Sequence, residues 1–193
     1  MVQKHHDPPN GGVCTTKGVV LASDDTTLTA DGEKPAPAFT SCDPKTICAP
    51  VSGTVVPLTS VADPVFAGGM LGQGVGVQAD GDVVFSPVTG NVTAIVDSKH
   101  AVAIHAESGA EVLVHVGVDT VCLRGSGFRL FVEKNQHVSA GEPLIGFDHD
   151  LIRAKNLDDT VIVTVTNSAD FSTVYPSCGN EVRLGAPLLS VER

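Results

Sequence analysis

The chain has 193 residues and a formal net charge of −10, and it contains no cluster of basic residues. Binding to nucleic acid phosphates or to an anionic membrane surface requires concentrated Lys and Arg, so the charge pattern argues against both partners. No run of residues approaches the roughly 20 apolar positions of a membrane-spanning helix. The N-terminus also lacks the apolar segment of a signal peptide, so we expect a cytoplasmic protein without a membrane span.

The composition favours strands over helices. Trp is absent, Tyr occurs once and Phe seven times, while 20 glycines and 12 prolines interrupt runs that are rich in valine. Such punctuated, β-branched runs are typical of many short strands. The five cysteines include no Cys-x-x-Cys unit, so we expect reduced thiols and neither a disulfide framework nor a zinc site.

The N-terminal part of the chain differs from the rest. Residues 1–45 are polar and rich in Thr, Asp, Gly and Pro. So little apolar surface cannot offset the entropy of ordering a chain, and we expect a disordered tail followed by one domain over residues 46–193. The histidines of the tail, His5 and His6, are expected to be solvated and not to bind metal.

Ten strands are predicted in the domain, at intervals of about ten residues broken by Gly or Pro. They are Gly53–Leu58, Gly74–Ala79, Val83–Ser86, Asn91–Val96, Ala101–Ala106, Glu111–Gly117, Leu130–Glu133, Pro143–Phe147, Val161–Thr166 and Pro187–Val191. One short helix is expected at Asp150–Lys155. This pattern predicts an all-β fold, an antiparallel β-sandwich with barrel-like features and at most one or two short helices.

Two stretches of the domain occur twice. Pro50–Val55 is repeated as Pro87–Val92, and Val138–Ile145 is repeated as Val182–Leu189. Each copy contains a glycine ahead of or within a predicted strand, where a turn needs backbone angles closed to other residues. We interpret the repeats as duplicated structural corners of one β architecture.

Two histidines, His100 and His115, flank one predicted hairpin. A two-residue turn at Ser108-Gly109 would set Val102 opposite His115 and bring His100 diagonal to it, about 7–8 Å away at Cα. Two neutral imidazoles at such a distance suit either a phosphoryl group or a metal. A turn longer or shorter by one residue would slip the register and separate the two rings.

The other histidines of the domain are expected to play no part in the site. His105 would pair with Val112 on the opposite face of the hairpin. His137 and His149 occur in polar turn or linker sequences, where exposure to solvent is expected.

A series of motifs then follows the order found in a known family. They are Pro50–Leu58, Asp63–Phe66, Lys99–Ala101, Val114–Val121, Gly125–Phe128, Val138–Leu144 and Phe147-Asp148. Through them the chain resembles the glucose-type enzyme IIA domain of the bacterial phosphoenolpyruvate-dependent sugar phosphotransferase system. The resemblance covers about residues 47–193, and its most specific part is the block from Val114 to Val121.

The resemblance implies a phosphotransferase component that works through a phosphohistidine, with no permanently bound cofactor. His115 matches the family's phosphorylated histidine, which would accept a phosphoryl group from the carrier HPr. It would pass this group to the cysteine of a IIB domain for sugar uptake and phosphorylation. A neutral imidazole is a competent nucleophile at pH 7.

The same resemblance implies roles for four further residues. The backbone carbonyl of Gly117 would hold one ring nitrogen of His115 and leave Nε2 as the nucleophile. His100 would donate a hydrogen bond to the phosphoryl oxygens, and the hydroxyl of Ser98 would orient His100. Asp119 would lie beside the site and serve partner docking, or it would stabilise an Asp-Thr turn.

Other functions remain open at this stage. The chain could be a regulatory module that binds transporters or metabolic enzymes according to its phosphorylation state, with zinc shared between His100, His115 and a partner carboxylate. Two histidines are too few to hold zinc alone. A biotinyl or lipoyl carrier would need a lysine at the hairpin tip, and a metallopeptidase would need a His-x-His unit; the sequence has neither. The sugar, the IIB partner and a fused or free-standing state stay open.

Overall fold

Short strands, many of them rich in valine, form the framework of the domain over residues 33–177 and 179–193, the part of the chain that the computed structural model describes. The strands are β1 (Thr46–Cys48), β2 (Gly53–Pro57), β3 (Gln73–Ala79), β4 (Val83–Phe85), β5 (Gly90–Ile95), β6 (Ala101–Ala106), β7 (Glu111–Val116), β8 (Phe128–Leu130), β9 (His137–Val138), β10 (Pro143–Phe147), β11 (Val161–Val165), β12 (Thr173–Pro176), β13 (Glu181–Val182) and β14 (Pro187–Glu192). The helices are α1 (Pro64–Ala67) and α2 (His149–Ala154), and 3₁₀ turns occupy Leu58–Ser60, Thr120–Leu123 and Ser168–Asp170.

The strands pair antiparallel in three sheets. The largest has eight strands in the order β13-β2-β3-β11-β7-β6-β5-β9, and two three-stranded sheets have the orders β1-β14-β12 and β4-β10-β8. The predicted all-β, antiparallel, sandwich-like fold with only short helices is therefore confirmed. Within the described part of the chain, no helix is long and apolar enough to cross a membrane.

Most predicted strands coincide with observed ones to within one residue, but the shortest elements differ. The strand predicted at Leu130–Glu133 is wrong, because β8 ends at Leu130. Sequence patterning missed β1, β9, β12 and β13, which have two to four residues each and are too short to show an alternation. It missed α1 for the same reason, while the helix predicted at Asp150–Lys155 is α2.

The repeated sequences occupy equivalent places in the fold. Gly53 begins β2 and pairs with Val182 on β13, and Gly90 begins β5 and pairs with Val138 on β9. Each copy of the first repeat thus pairs with one copy of the second repeat, at opposite edges of the eight-stranded sheet. The order of the strands in this sheet has a matching pseudo-twofold symmetry. β13, β2, β3 and β11 on one side correspond to β9, β5, β6 and β7 on the other, and β7 and β11 are adjacent at the centre. One half, β4 to β10, is continuous in sequence and carries both His100 and His115.

The two faces of the central strands are covered differently. On β7, the alternate residues Val112, Val114 and Val116 are fully buried in the main hydrophobic core. The opposite face carries Leu113 and His115. It packs against a smaller cluster formed by Leu58, Val61, Phe66, Val118 and Ile162. His115 is therefore held at the edge of an apolar layer and not inside the main core.

The N-terminal segment contacts the domain ahead of the predicted boundary. The N–H of Ala38 donates to the carbonyl of Gly141 (2.9 Å), and Phe39 packs against the left-handed turns at Gly141 and Gly185. A Cβ on Gly141 would lie 1.9 Å from the Phe39 carbonyl oxygen, so this approach requires glycine. Residues 1–32 of the predicted tail lie outside the described residues.

A disulfide bond also fastens this segment. Cys42 is bonded to Cys48 on β1, with Cα atoms 6.2 Å apart. The expectation of reduced thiols is wrong for this pair, because the loop between them turns back and brings the two sulfurs together, which the spacing alone does not reveal. Cys14 and Cys178 lie outside the described residues.

Candidate functional site

The hairpin that carries the two histidines closes with three residues and not with two. The N–H of Ala106 donates to the carbonyl of Ala110 (2.8 Å) across the loop, and Gly109 adopts a left-handed φ of +84°. His115 therefore faces Ala101, and the predicted pairing with Val102 is wrong by one residue. A glycine in this position is compatible with both loop lengths, so the sequence could not decide between them.

The two imidazoles nevertheless meet. The ring centroids of His100 and His115 lie 4.6 Å apart, with the planes at 82°. His100 precedes β6 and follows Lys99, whose φ is +61°, so the alternation of the strand does not determine where its side chain lies. Its carbonyl accepts the N–H of Val116 (2.8 Å), which fixes the approach of the two segments.

The altered register also changes the surroundings of His105. His105 pairs with Glu111 and not with Val112, so it shares the His115 face of the sheet, contrary to the prediction. Its Nδ1 lies 2.6 Å from Glu111 Oε1, and both side chains are exposed to a large extent.

The remaining two histidines of the domain behave differently from each other. His137 is exposed, as predicted. His149 is not: its side chain is only 17% exposed, and both ring nitrogens have partners. The expectation of a solvated His149 is wrong, because α2 packs its first residue against the domain and not into solvent.

His115 lies between two other rings. The Phe66 ring is 5.0 Å from it in an edge-to-face arrangement, and His100 packs in turn against Phe128 at 6.2 Å. Phe66 belongs to α1, which begins after Asp63, whose carboxylate caps the helix by accepting the N–H of Val65 (2.7 Å). The sequence analysis includes Asp63–Phe66 among the family motifs but assigns it no role in the site. The Asp-Pro pair, which is typical of the start of a helix, was the signal available in the sequence.

Burial sets the protonation of the two histidines. Loss of solvation, together with the smaller effect of proximity to His100, lowers the pKa of His115 to about 4, although the Gly117 backbone and the Asp63 carboxylate act to raise it. Burial also lowers the pKa of His100, partly offset by the backbone of Ser98. Both rings are therefore neutral at pH 7, which leaves a nitrogen lone pair for a nucleophilic role.

This pKa shift predicts a pH-dependent stability. Between pH 6.5 and pH 4 the unfolded chain binds more protons than the folded chain, so the free energy of unfolding falls as the pH falls through this window. The His115→Gln variant lacks the imidazole that causes this effect. Between pH 7 and pH 5 its free energy of unfolding should therefore fall by about 2 kcal/mol less than that of the wild type. Urea titrations at the two pH values check this, with the exposed His105→Gln as control. An unchanged pH dependence would contradict the assignment.

The Nδ1 atoms of His100 and His115 differ in their hydrogen bonding. Nδ1 of His100 lies 2.9 Å from the hydroxyl of Ser98. Nδ1 of His115 is buried and makes no hydrogen bond of standard geometry within the described residues. The Gly117 backbone acts to raise the pKa of His115, so it lies near the ring and is a candidate partner for that nitrogen.

The loop after His115 is tightly built. Gly117 and Asp119 both have left-handed φ values, +75° and +58°, and the hydroxyl of Thr120 donates to the carbonyl of Val116 (2.7 Å). Asp119 is exposed, and its carboxylate does not cap the following 3₁₀ turn. The carboxylate thus makes no cap hydrogen bond within the described residues, and its side chain is exposed on the loop that follows His115.

Exposed apolar side chains occur on each segment that borders the two histidines. Val65 lies on α1 and Met70 follows it, Val96 lies ahead of the turn before His100, and Val121 lies in the 3₁₀ turn that follows the loop after His115. Their exposed fractions run from 39% for Val65 and Val96 to 77% for Met70. The described residues contain no group of three or more His, Cys, Asp or Glu that could hold a metal ion.

The β-sandwich with two adjoining neutral imidazoles places the chain among the proteins of the sugar phosphotransferase class, and comparisons with known proteins identify the family. The model of the phosphoenolpyruvate-dependent sugar phosphotransferase system EIIA 1 family matches residues 45–171. The chain belongs to this family. It is a phosphocarrier domain of the glucose type, and the family carries the phosphoryl group on histidine.

Individual relatives and a solved structure agree. The chain is 47% identical over 128 residues to the mannose-specific EIIBCA component of Corynebacterium glutamicum. The aligned region covers 66% of this chain and 19% of that protein. It is 44% identical over 128 residues to the glucose-specific EIIA component of Bacillus cereus, covering 65% of this chain and 78% of that protein. The glucose permease IIA of Mycoplasma capricolum superposes with a TM-score of 0.67 at 32% identity, over 75% of this chain and 93% of that chain. The chain thus spans about a fifth of the length of the EIIBCA relative.

Proposed function

We propose that His115 carries the phosphoryl group, which it accepts from the phosphohistidine of HPr and passes to the cysteine of a IIB domain. The observation that carries the proposal is the contact between the neutral rings of His115 and His100. In this account the unit that transfers the group spans residues 46–193. The start of the family match at residue 45 supports that boundary.

Both transfer steps balance without a cofactor. In the first, the lone pair of His115 Nε2 forms a bond to phosphorus as the P–N bond of phospho-HPr breaks. In the second, a thiolate of the IIB domain attacks the same phosphorus, and the electrons of the P–N bond return to Nε2. Phosphoryl transfer of this kind depends mainly on in-line positioning and on stabilisation of charge.

The neighbouring residues take supporting roles in the proposal. The Ser98 hydroxyl donates to Nδ1 of His100, so Nε2 of His100 carries the proton and donates to a phosphoryl oxygen. The carbonyl of Gly117 accepts from Nδ1 of His115 and keeps the lone pair on Nε2. The buried, otherwise unpartnered state of that Nδ1 supports this pairing.

The surface around the histidines supports protein partners. We assign partner docking to the exposed side chains of Val65, Met70, Val96 and Val121, with Asp119 supplying a carboxylate for a cationic residue at the rim. Apolar patches edged by charge are typical of transient interfaces. HPr and a IIB domain would use this surface in turn, in the cytoplasm.

The same surface also supports a regulatory role. A transporter or metabolic enzyme could bind only the unphosphorylated form, since a phosphoryl group on His115 would add negative charge at the centre of the surface. A carboxylate of such a partner could complete a zinc site with His100 and His115, because two imidazoles leave coordination positions open. Pull-down of partners with and without phosphorylation separates the regulator from the carrier.

The carrier function is tested by following the phosphoryl group through both steps. The chain is mixed with phosphoenolpyruvate, enzyme I and HPr, and its intact mass is measured before and after a IIB domain is added. We expect the mass of one phosphoryl group to appear and then to be lost to the IIB cysteine. Active HPr that leaves the folded chain unmodified would contradict the proposal.

A further inference from the structure

The loop that follows His115 takes its shape from a segment distant in sequence. The N–H of Gly117 donates to the carbonyl of Thr160 (2.9 Å), and the N–H of Val118 donates to the carbonyl of Asp158 (2.8 Å). A Cβ on Gly117 would lie 2.7 Å from the Asp158 oxygen, so the two backbones are in close contact. The connection between α2 and β11 thus holds the residue whose backbone lies beside Nδ1 of His115.

A partly buried ionic cluster fixes the middle of this connection. Oδ2 of Asp159 accepts hydrogen bonds from His149 Nδ1 (2.6 Å) and from Arg153 Nε (2.7 Å), both on α2. The Asp159 side chain is 15% exposed, whereas that of Arg153 is 61% exposed. Charged groups that leave water remain stable only when they are paired and hydrogen-bonded, so this contact strongly constrains Asp159.

His149 extends the cluster to a third element. Its Nε2 donates to the carbonyl of Gly81 (2.9 Å), in the turn between β3 and β4, and its ring packs against Phe147 at 4.5 Å. Both ring nitrogens therefore face acceptors, and the ring ties α2 to Asp159 and to that turn. These residues take no part in the phosphoryl chemistry itself. They do fix the position of the 158–160 backbone, whose carbonyl groups accept hydrogen bonds from Gly117 and Val118.

We propose that Asp159, held by His149 and Arg153, is a positioning residue for phosphoryl transfer that acts through Gly117 on the imidazole of His115. The inference rests on the proposed function, because it takes His115 as the residue that carries the phosphoryl group. Loss of the Asp159 carboxylate releases the connection, the Gly117 carbonyl moves relative to Nδ1, and His115 spends less time with its lone pair on Nε2. A displacement of this kind away from the chemistry lowers the rate without removing any reacting group.

The test compares two carboxylates that contact a histidine at the same distance. Asp159→Asn should lower kcat for phosphoryl transfer from phospho-HPr about tenfold. KM should stay at the wild-type value, because the Asp159 side chain is only 15% exposed and its Oδ2 is already engaged by His149 and Arg153. The ring-nitrogen chemical shifts of His115 at pH 7 should move toward the other tautomer. Glu111→Gln removes the exposed carboxylate that pairs with His105 at 2.6 Å and should change none of these quantities.

A second variant keeps the proposal testable if Asp159→Asn does not fold. Arg153→Gln alters a mostly exposed side chain and should change kcat and the His115 shifts in the same direction, by a smaller factor. Wild-type kcat and unchanged His115 shifts in whichever variant folds would overturn the positioning role. A wild-type chain that is never phosphorylated on His115 would instead remove the proposed function, while the tautomer measurement still reports on the coupling to Asp159.

Discussion

Replacing His115 with glutamine should abolish phosphorylation of the chain by phospho-HPr. Glutamine can occupy much of the space between Phe66 and His100, but its amide nitrogen has no lone pair that can attack phosphorus. His100 should not substitute, because in the proposed arrangement its Nδ1 accepts from the Ser98 hydroxyl, 2.9 Å away, and its Nε2 carries the proton. Intact mass after incubation with phosphoenolpyruvate, enzyme I and HPr should show the unmodified chain alone.

The matched control for this variant is His105→Gln. His105 lies on the neighbouring strand and shares a sheet face with His115, but its side chain is exposed and contacts the carboxylate of Glu111. This variant should gain one phosphoryl group at the wild-type rate. A folded His115→Gln chain that still becomes phosphorylated on histidine would contradict the proposal that His115 carries the phosphoryl group.

Replacing His100 with alanine should separate the two transfer steps. During acceptance, HPr itself holds the phosphoryl group in front of His115, so the variant should still become phosphorylated. During discharge, only this chain holds the group, and loss of the His100 donor removes the hydrogen bond that offsets charge on the phosphoryl oxygens. Removal of one such donor typically costs about 100-fold in rate, so discharge to a IIB domain should slow by about this factor.

A second readout distinguishes this effect from simple damage to the fold. Proximity to His100 is one of the causes that lower the pKa of His115, so the pKa of His115 should rise above about 4 in His100→Ala. NMR titration of the His115 ring measures this directly. Discharge at the wild-type rate from a folded His100→Ala chain would remove His100 from the mechanism.

The strands around the site could be predicted because their burial alternates. On β7, Glu111, Leu113 and His115 alternate with fully buried valines, and this pattern is visible in the sequence. The register of the hairpin could not be predicted to one residue, since Gly109 serves both two-residue and three-residue loops. The rings meet all the same, because His100 lies in a turn outside the strand and its side chain is not set by the alternation.

The contacts that complete the site depend on packing between distant segments. Phe66 reaches His115 only because the 3₁₀ turn and α1 fold over the second face of the large sheet. The pairing of Cys42 with Cys48 and the cluster around His149 arise in the same way, from loops whose path no local pattern specifies. The resemblance to the family led to the proposal of His115 and His100 as the central residues of the site, whereas the side chains that pack around them became visible only in the three-dimensional fold.

The most direct test of the account is to identify the phosphorylated atom in the wild-type chain. Nitrogen-15 and phosphorus-31 NMR of the chain treated with phosphoenolpyruvate, enzyme I and HPr locates the P–N bond, and the His115→Gln variant assigns the signal. We expect a single phosphohistidine at His115, bonded through Nε2, with Nδ1 protonated and facing the Gly117 backbone. A phosphoryl group on another residue, or on Nδ1 of His115, would contradict it.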